Sequence, residues 1–363
     1  MMQEQDLREL SEFSSQEAPV LSLYLNLDRH GRSMEEYKLL LRKLLTEGAE
    51  QGAAPADVER IERFFEHEYD RQGKAVVCFS CQTPKFWRSY ALLVPVQNAV
   101  FVGRRPLVKP LMDVWDNYDR FGVIMVDREG ARVFVYHLGA LEDTAGLMGE
   151  EVRRHKQGGW AAQKLQRYED QEARHNLKEA AEWAHNYLTQ QKVTRVVLSG
   201  SDGNIAEFRE QLPRALQDKV IGQINLDMAS TPSDAWDRAF EVAQQAQIQA
   251  ELDLLAQVIT AAHKGGAGVI GLADTLTALH QGRVYQLLVD PALHRPGQQC
   301  TNCQAVMIED LKACPYCQGA LAPSADVVNL AVHQAVDLGL KVSMLEGNPQ
   351  LTEVGGIAAV LRY

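Results

Sequence analysis

No run of ~18 consecutive apolar residues occurs in the 363-residue chain, so a membrane-spanning helix is not expected. No apolar segment follows the acidic opening Met1-Met2-Gln3-Glu4-Gln5-Asp6, which argues against a secretory signal. Long low-complexity tracts are also missing, and a composition of 46% hydrophobic and 23% charged residues is that of a soluble globular protein. Cysteine is scarce, at six residues. Four of them fall in two Cys-x-x-Cys pairs, which without an export signal reads as metal binding in the cytoplasm rather than as disulfides. Basic residues are outnumbered, 37 Lys and Arg against 48 Asp and Glu, for a net charge of -11. That balance argues against a generally sticky nucleic-acid binder, which usually carries a basic domain. The length fits two or three domains rather than one core.

One segment departs from the acidic background: Arg153-Arg154-His155-Lys156-Gln157-Gly158-Gly159-Trp160-Ala161-Ala162-Gln163-Lys164-Leu165-Gln166-Arg167-Tyr168. Five Lys or Arg lie between Arg153 and Arg167, with no Asp or Glu among them. Gly158 and Gly159 break the chain there, because glycine visits positive φ freely and lets a backbone approach a ligand closely. Composition alone is equally served by a solvated basic loop that leads into a helix.

Taken in order, Val20–Leu27 alternates at period two and reads as a strand. Helical spacing follows over Glu35–Thr46, a break over Gly48–Pro55, and a second helix over Ala56–Glu68. Ala75–Phe79 and Ser89–Pro95 read as strands, and the weak pair Cys78/Cys81 as strand-core thiols. The stretch from Val108 to Asp119 reads as a link between units. Phe121–Asp127 and Ala131–Leu138 form a hairpin about Arg128-Glu129-Gly130. Ala173, Leu177, Ala180, Ala181, Ala184, Tyr187 and Leu188 mark one face of a long helix after the basic segment. Strands are expected at Val193–Leu198 and Lys219–Leu226. The turn Gly200-Ser201-Asp202-Gly203 lacks the Gly-Lys-Ser/Thr ending of a nucleotide loop. Thr231-Pro232-Ser233-Asp234 caps a helix that runs to about His263.

Cys300 and Cys303, then Cys314 and Cys317 after a ten-residue gap, form two knuckles able to converge four thiolates on one tetrahedral Zn²⁺. Four cysteines fill the coordination sphere, so the site reads as structural, with no open position for water.

The basic Gly-Gly segment, the strand–turn–strand before it, Arg174-His175-Asn176 after it and the terminal Gly355-Gly356-Ile357-Ala358-Ala359-Val360-Leu361-Arg362-Tyr363 together resemble the eukaryotic and archaeal class-1 release factors and Pelota. The likeness covers about Phe121 to Tyr363, with the N-terminal third matched in outline. It implies an α/β (α+β) fold of three domains. These are an N-terminal α/β domain over 1–118, a central domain with the Gly-Gly loop over 119–228, and a C-terminal α/β/α domain over 229–363. The last resembles a ribosomal RNA-binding protein and carries a four-cysteine zinc ribbon at 298–320, as in some archaeal release factors.

In release factors the corresponding loop enters the peptidyl transferase centre and promotes hydrolysis of peptidyl-tRNA. The resemblance assigns backbone shape to Gly158 and Gly159. It makes Gln163 the displaced water-positioning residue, with Gln157 second, because Trp160 occupies the third motif position where the family has Gln. Arg153, Arg154, Lys156, Lys164 and Arg167 would hold rRNA and tRNA phosphates, and Trp160 would stack on a base or pin the loop to its own domain. The implied partners are the ribosome, peptidyl-tRNA and a translational GTPase, with no membrane. No asparagine-containing stop-codon loop is found in the N-terminal third, so the expected activity is independent of the codon. The alternatives are a non-catalytic A-site factor for hibernation or stalled-ribosome recognition, and a tRNA-processing enzyme acting off the ribosome.

Overall fold

The computed structural model describes residues 2–27, 34–70, 73–149 and 160–363. Its contacts divide the chain into two units, one made of residues 1–117 with 251–363, the other of residues 118–250.

The first segment opens with α1 (Glu4–Glu12), whose Leu7 and Leu10 are buried. β1 (Val20–Asn26) follows, and its neighbours on both faces bury it. Leu21, Leu23 and Leu25 pack beneath Leu44, Leu45 and Ile61, while Tyr24 on the opposite face meets Phe79 edge-on at 6.0 Å. α2 (Met34–Glu50) runs through Gly48, where the sequence suggested a break. A Cβ at Gly48 would lie 2.9 Å from Leu21 Cδ1, so the missing side chain brings the helix onto the sheet instead of ending it. α3 (Pro55–Arg63) completes the cover. β2 (Ala75–Cys81), β3 (Phe86–Leu92) and β4 (Ala99–Gly103) complete an antiparallel sheet of order β3-β2-β1-β4. Cys78 and Cys81 are buried in β2, and burial pushes the Cys78 thiol far above its ordinary value. The expected link after Val108 is in fact a helix, α4 (Lys109–Asn117). Proline is tolerated in a first helical turn, where its missing N–H has no intrahelical partner to lose, and Leu111, Met112 and Val114 bury the helix.

The second unit is a five-stranded sheet of order β7-β6-β5-β8-β9. Its strands are β5 (Phe121–Val126), β6 (Gly130–His137), β7 (Ala140–Met148), β8 (Arg195–Ser199) and β9 (Val220–Ile224). β5 pairs antiparallel with β6 and parallel with β8. α5 (Trp160–Gln190), α6 (Asp202–Gln211) and α7 (Arg214–Gln217) connect β7 to β9, and α8 (Pro232–His263) leaves the sheet. Alternation along β5 sorts the two faces. Ile124 and Val126 pack under Leu177, Ala180, Ala184 and Leu188 of α5 with Phe208 of α6. Phe121, Val123 and Met125 pack under Ala235, Ala239 and Ala243 of α8. The alanine stripe of α5 permits close approach to the sheet.

From residue 251 the chain returns to the first unit. β10 (Gly268–Ile270), α9 (Leu272–His280) and β11 (Val284–Val289) precede the ribbon strands β12 (Gly297–Cys300), β13 (Val306–Met307) and β14 (Leu321–Ser324). α10 (Val327–Asp337), β15 (Lys341–Met344), α11 (Pro349–Glu353) and β16 (Ile357–Leu361) complete a sheet of order β10-β16-β11-β15.

Both ends of the chain meet within this unit through buried polar contacts. Lys109 Nζ lies 2.9 Å from Asp326 Oδ2 and donates to the Leu293 carbonyl at 2.5 Å, with both ionic side chains 1% exposed. Asn329 accepts from the Val108 N–H at 3.1 Å and donates to the Pro106 carbonyl at 3.1 Å. His333 is fully buried, with Nδ1 3.0 Å from the Ser11 carbonyl and Nε2 2.7 Å from that of Pro106. No helix among the described residues is long and apolar enough to cross a membrane.

Candidate functional site

Arg153, Arg154, Lys156, Gln157, Gly158 and Gly159 lie outside the described residues. The structure describes the stem that carries them, entered from the end of β7 and left at Trp160, the first residue of α5. On the entry side, the Gly149 N–H donates to the Glu129 carbonyl at 2.6 Å. Asp127 Oδ1 accepts from the N–H groups of Glu129 at 2.8 Å and Gly130 at 3.0 Å, which fixes the hairpin turn. Asn176, 3% exposed on α5, donates its amide to the Arg128 carbonyl at 3.3 Å. A Cβ on Gly149 would fall 2.1 Å from Asn176 Oδ1, so any larger residue would push the Asn176 side chain out of its place against the hairpin turn. Arg128 also reaches the helix through an ion pair with Asp170 at 2.5 Å. Turn, strand end and helix are therefore tied together at the base of the loop.

Trp160, Gln163 and Lys164 fall in the opening turns of α5, and Arg167 is exposed on it. The first turn of α5 has no acidic residue, although the helix macrodipole favours one there. Lys164 and Arg167 follow one and two turns further along the helix. His175 stays on the surface, 3.5 Å from Glu179, whereas its neighbour Asn176 turns inward to the stem. The role of Gly149 carried no sequence signal, since it depends on Asn176 of α5, a partner on a different element.

The cysteines form a second site. Cys300, Cys303, Cys314 and Cys317 come together with all four sulfurs within 4.8 Å of one another. Cys300 Sγ is 3.5 Å from Cys317 Sγ and Cys303 Sγ is 3.6 Å from Cys314 Sγ. A disulfide requires about 2.05 Å. Four thiolates at ~2.3 Å from one ion stand about 3.8 Å apart, so the donor set fits a tetrahedral cation such as zinc. The Asn302 and Cys303 N–H groups point at Cys300 Sγ at 3.4 and 3.5 Å, the turn that offers a sulfur lone pair outward. Gly319 leaves room at the cluster, because a Cβ there would sit 3.2 Å from both Cys300 Sγ and Cys317 Sγ and press on them. The Cys317 thiol is drawn down to about 6, first by the Gly319 N–H and then by Asn302. Burial pushes Cys303 up to about 12. Without a cation the cluster shares protons, and with one all four sulfurs can ionise. Tyr316 packs on His280 at 4.2 Å between ring centres and Gln334 donates to the Gln304 carbonyl at 2.5 Å, seating the ribbon on α9 and α10.

Residues 106–245 match the family model described as bacterial archaeo-eukaryotic release factor family 10. Peptide chain release factor subunit 1 of Methanococcus maripaludis strain C6 is 25% identical over 287 residues, covering 70% of this chain and 68% of that protein. The protein of the same name from Methanocaldococcus jannaschii is 24% identical, covering 98% of this chain and 96% of that one. Among solved structures, a model of ribosome-bound archaeal Pelota and ABCE1 shares 12% identity over 99% of this chain and 94% of that chain, with a TM-score of 0.42.

Proposed function

We propose, from the homology of this chain to the release factor and Pelota superfamily, that it is a ribosome-binding factor that hydrolyses peptidyl-tRNA without reading a codon. The observation that carries this reading is the basic Gly158-Gly159 segment, set between β7 and α5 inside the part of the chain that matches the family model. The reaction is attack of water on the ester between peptide and tRNA ribose. The factor's share is positioning and electrostatic stabilisation of charge that develops on the carbonyl. A neutral glutamine suits that task, because it orients water without trapping a proton. In this reading Gln163 holds the water, with Gln157 as second choice, and Gly158 and Gly159 allow the backbone to approach the ester. Arg153, Arg154, Lys156, Lys164 and Arg167 contact phosphates, and Trp160 stacks on a base.

Trp160 at the third loop position favours a second reading, a non-catalytic factor that fills the ribosomal A site during hibernation or stalling. Single-turnover peptide release from peptidyl-tRNA on ribosomes separates the two. Hydrolysis predicts release by the wild type, with a loss of tenfold or more, about 1.4 kcal/mol of barrier, in Gln163→Ala or Gln157→Ala. Binding without release in every variant sinks the enzyme reading, and release from free peptidyl-tRNA relocates the activity off the ribosome. Replacement of the loop's Lys and Arg by Ser abolishes ribosome association in either ribosomal reading.

The same proposal includes a structural zinc held by Cys300, Cys303, Cys314 and Cys317, which supplies rigidity to a ribbon too small for a core of its own. A translational GTPase as delivery partner and a cytoplasmic location follow from the family reading.

A further inference from the structure

Within the first unit, a cavity of about 460 Å³ opens between the edge of the N-terminal sheet, the cysteine ribbon and the start of α10. Its charge runs against that of the chain. Arg104 and Arg105 line it, in a protein of net charge -11. Asp326 is the only acidic residue in the described wall, and its carboxylate is already matched by Lys109 and His294, each at 2.9 Å. Arg105 is half-buried, donates to the Ser11 carbonyl at 2.8 Å and feels the Asp337 carboxylate, which together fix its guanidinium at the wall. Arg104 is exposed and has no side-chain partner among the described residues. A neighbouring arginine held rigid and a second left unpaired make an anion-accepting corner, since guanidinium donors match phosphate oxygens bidentately.

The remaining lining is neutral and rich in hydrogen-bonding groups. Gln16 and Gln299 face the cavity from opposite segments, and neither side chain has a partner among the described residues. Phe101 supplies an aromatic surface, with its ring so close to Gly103 that a Cβ there would stand 2.6 Å from Cε1. A volume in the lower part of the range for small-molecule sites, with cationic donors, free amides and one ring, fits a mononucleotide.

We propose that this cavity binds a mononucleotide, with Arg104 and Arg105 on its phosphate, the amides of Gln16 and Gln299 on its polar edges and Phe101 against its base. The site is lined wholly by residues of the first unit and does not rest on the ribosomal reading. Its ribbon wall includes Gln299, Cys300 and Thr301, so the cavity borders the cysteine cluster.

Isothermal titration calorimetry on the full chain tests it with AMP, GMP, adenosine, guanosine and inorganic phosphate as probes. One of the two mononucleotides is expected to bind at least about tenfold more tightly than phosphate and than its own nucleoside. Arg104→Glu is expected to weaken that binding by about tenfold or more, since hydrogen bonds to a charged group are lost and a like charge replaces them. Gln299→Leu provides a second variant that leaves the charge alone and lowers the preference for nucleotide over phosphate. Unchanged melting temperatures establish that both variants fold. Absence of mononucleotide binding overturns the proposal. So does phosphate binding as tightly as AMP and GMP, or Arg104→Glu binding as well as the wild type.

Discussion

Asn176 holds the stem of the basic loop, and its replacement is the sharpest residue-level test of that stem. Asn176→Ala removes the bond to the Arg128 carbonyl and leaves a hole under Gly149, so unit 118–250 is expected to lose about 1–3 kcal/mol in urea unfolding. Gly149→Ala is expected to cost about as much, because the Asn176 side chain must turn aside to admit the methyl group and loses its bond to the Arg128 carbonyl. His333 sets a pH dependence. Burial pulls its imidazole down to about 4, against the Pro106 and Ser11 carbonyls that favour the charged form. Between about pH 6.5 and 4 the unfolded chain therefore binds a proton that the folded chain does not. Stability falls as pH drops through that window, by up to about 3 kcal/mol, and is flat in this respect above it. Asp326 acts with the same sign lower still. Burial raises its carboxyl, but His294 and Lys109 outweigh that and hold it below the usual range, so its contribution is lost on further acidification. Denaturant unfolding at pH 7, 6 and 5 measures the slope, and His333→Gln flattens it.

Among the elements, those with strong local patterns were legible in the sequence. The Thr231-Pro232-Ser233-Asp234 cap fixes α8 from Pro232, and the hairpin about Arg128-Glu129-Gly130 appears as β5 and β6. β7 was not legible, because after Ala140 its positions are only half-buried or exposed, and Glu, Asp, Thr and Gly break any apolar alternation. α4 was hidden by the pair Lys109-Pro110, which reads as a linker until Lys109 meets Asp326, more than 200 positions away in sequence. The ribbon lies at the opposite extreme, since two Cys-x-x-Cys knuckles determine it almost alone. Cys303→Ser is expected to remove the bound metal, read as loss of one zinc per chain by mass spectrometry under native conditions. It should also lower the melting temperature of the unit that contains the ribbon, because metal affinity is folding energy there. A zinc content unchanged by this variant contradicts the four-thiolate site.

At the scale of the whole molecule, residues 1–117 and 251–363 form one unit around the Lys109–Asp326 pair, Asn329 and His333. Lys109→Met leaves the Asp326 carboxylate buried with His294 and the N–H groups of Val328 and Arg295, and the expected destabilisation is about 3 kcal/mol, at the low end for a broken buried pair. Asp326→Asn added to Lys109→Met recovers part of it. Hydrogen exchange tests the unit as a whole: amides of β1 and β16 are expected to open together in Lys109→Met, while those of β5 and β8 keep their protection.

The same pairing has a consequence for the order in which the chain matures during synthesis. Lys109 leaves the peptide exit tunnel long before Asp326, and at about 5–20 residues per second the interval is on the order of 10–40 s. The stretch numbered 118–250 is complete within that wait, while the earliest-made residues are still without their carboxylate counter-ion. The core of the N-terminal sheet needs residues 21–102 alone, so what waits for the youngest part of the chain is the buried charge of Lys109.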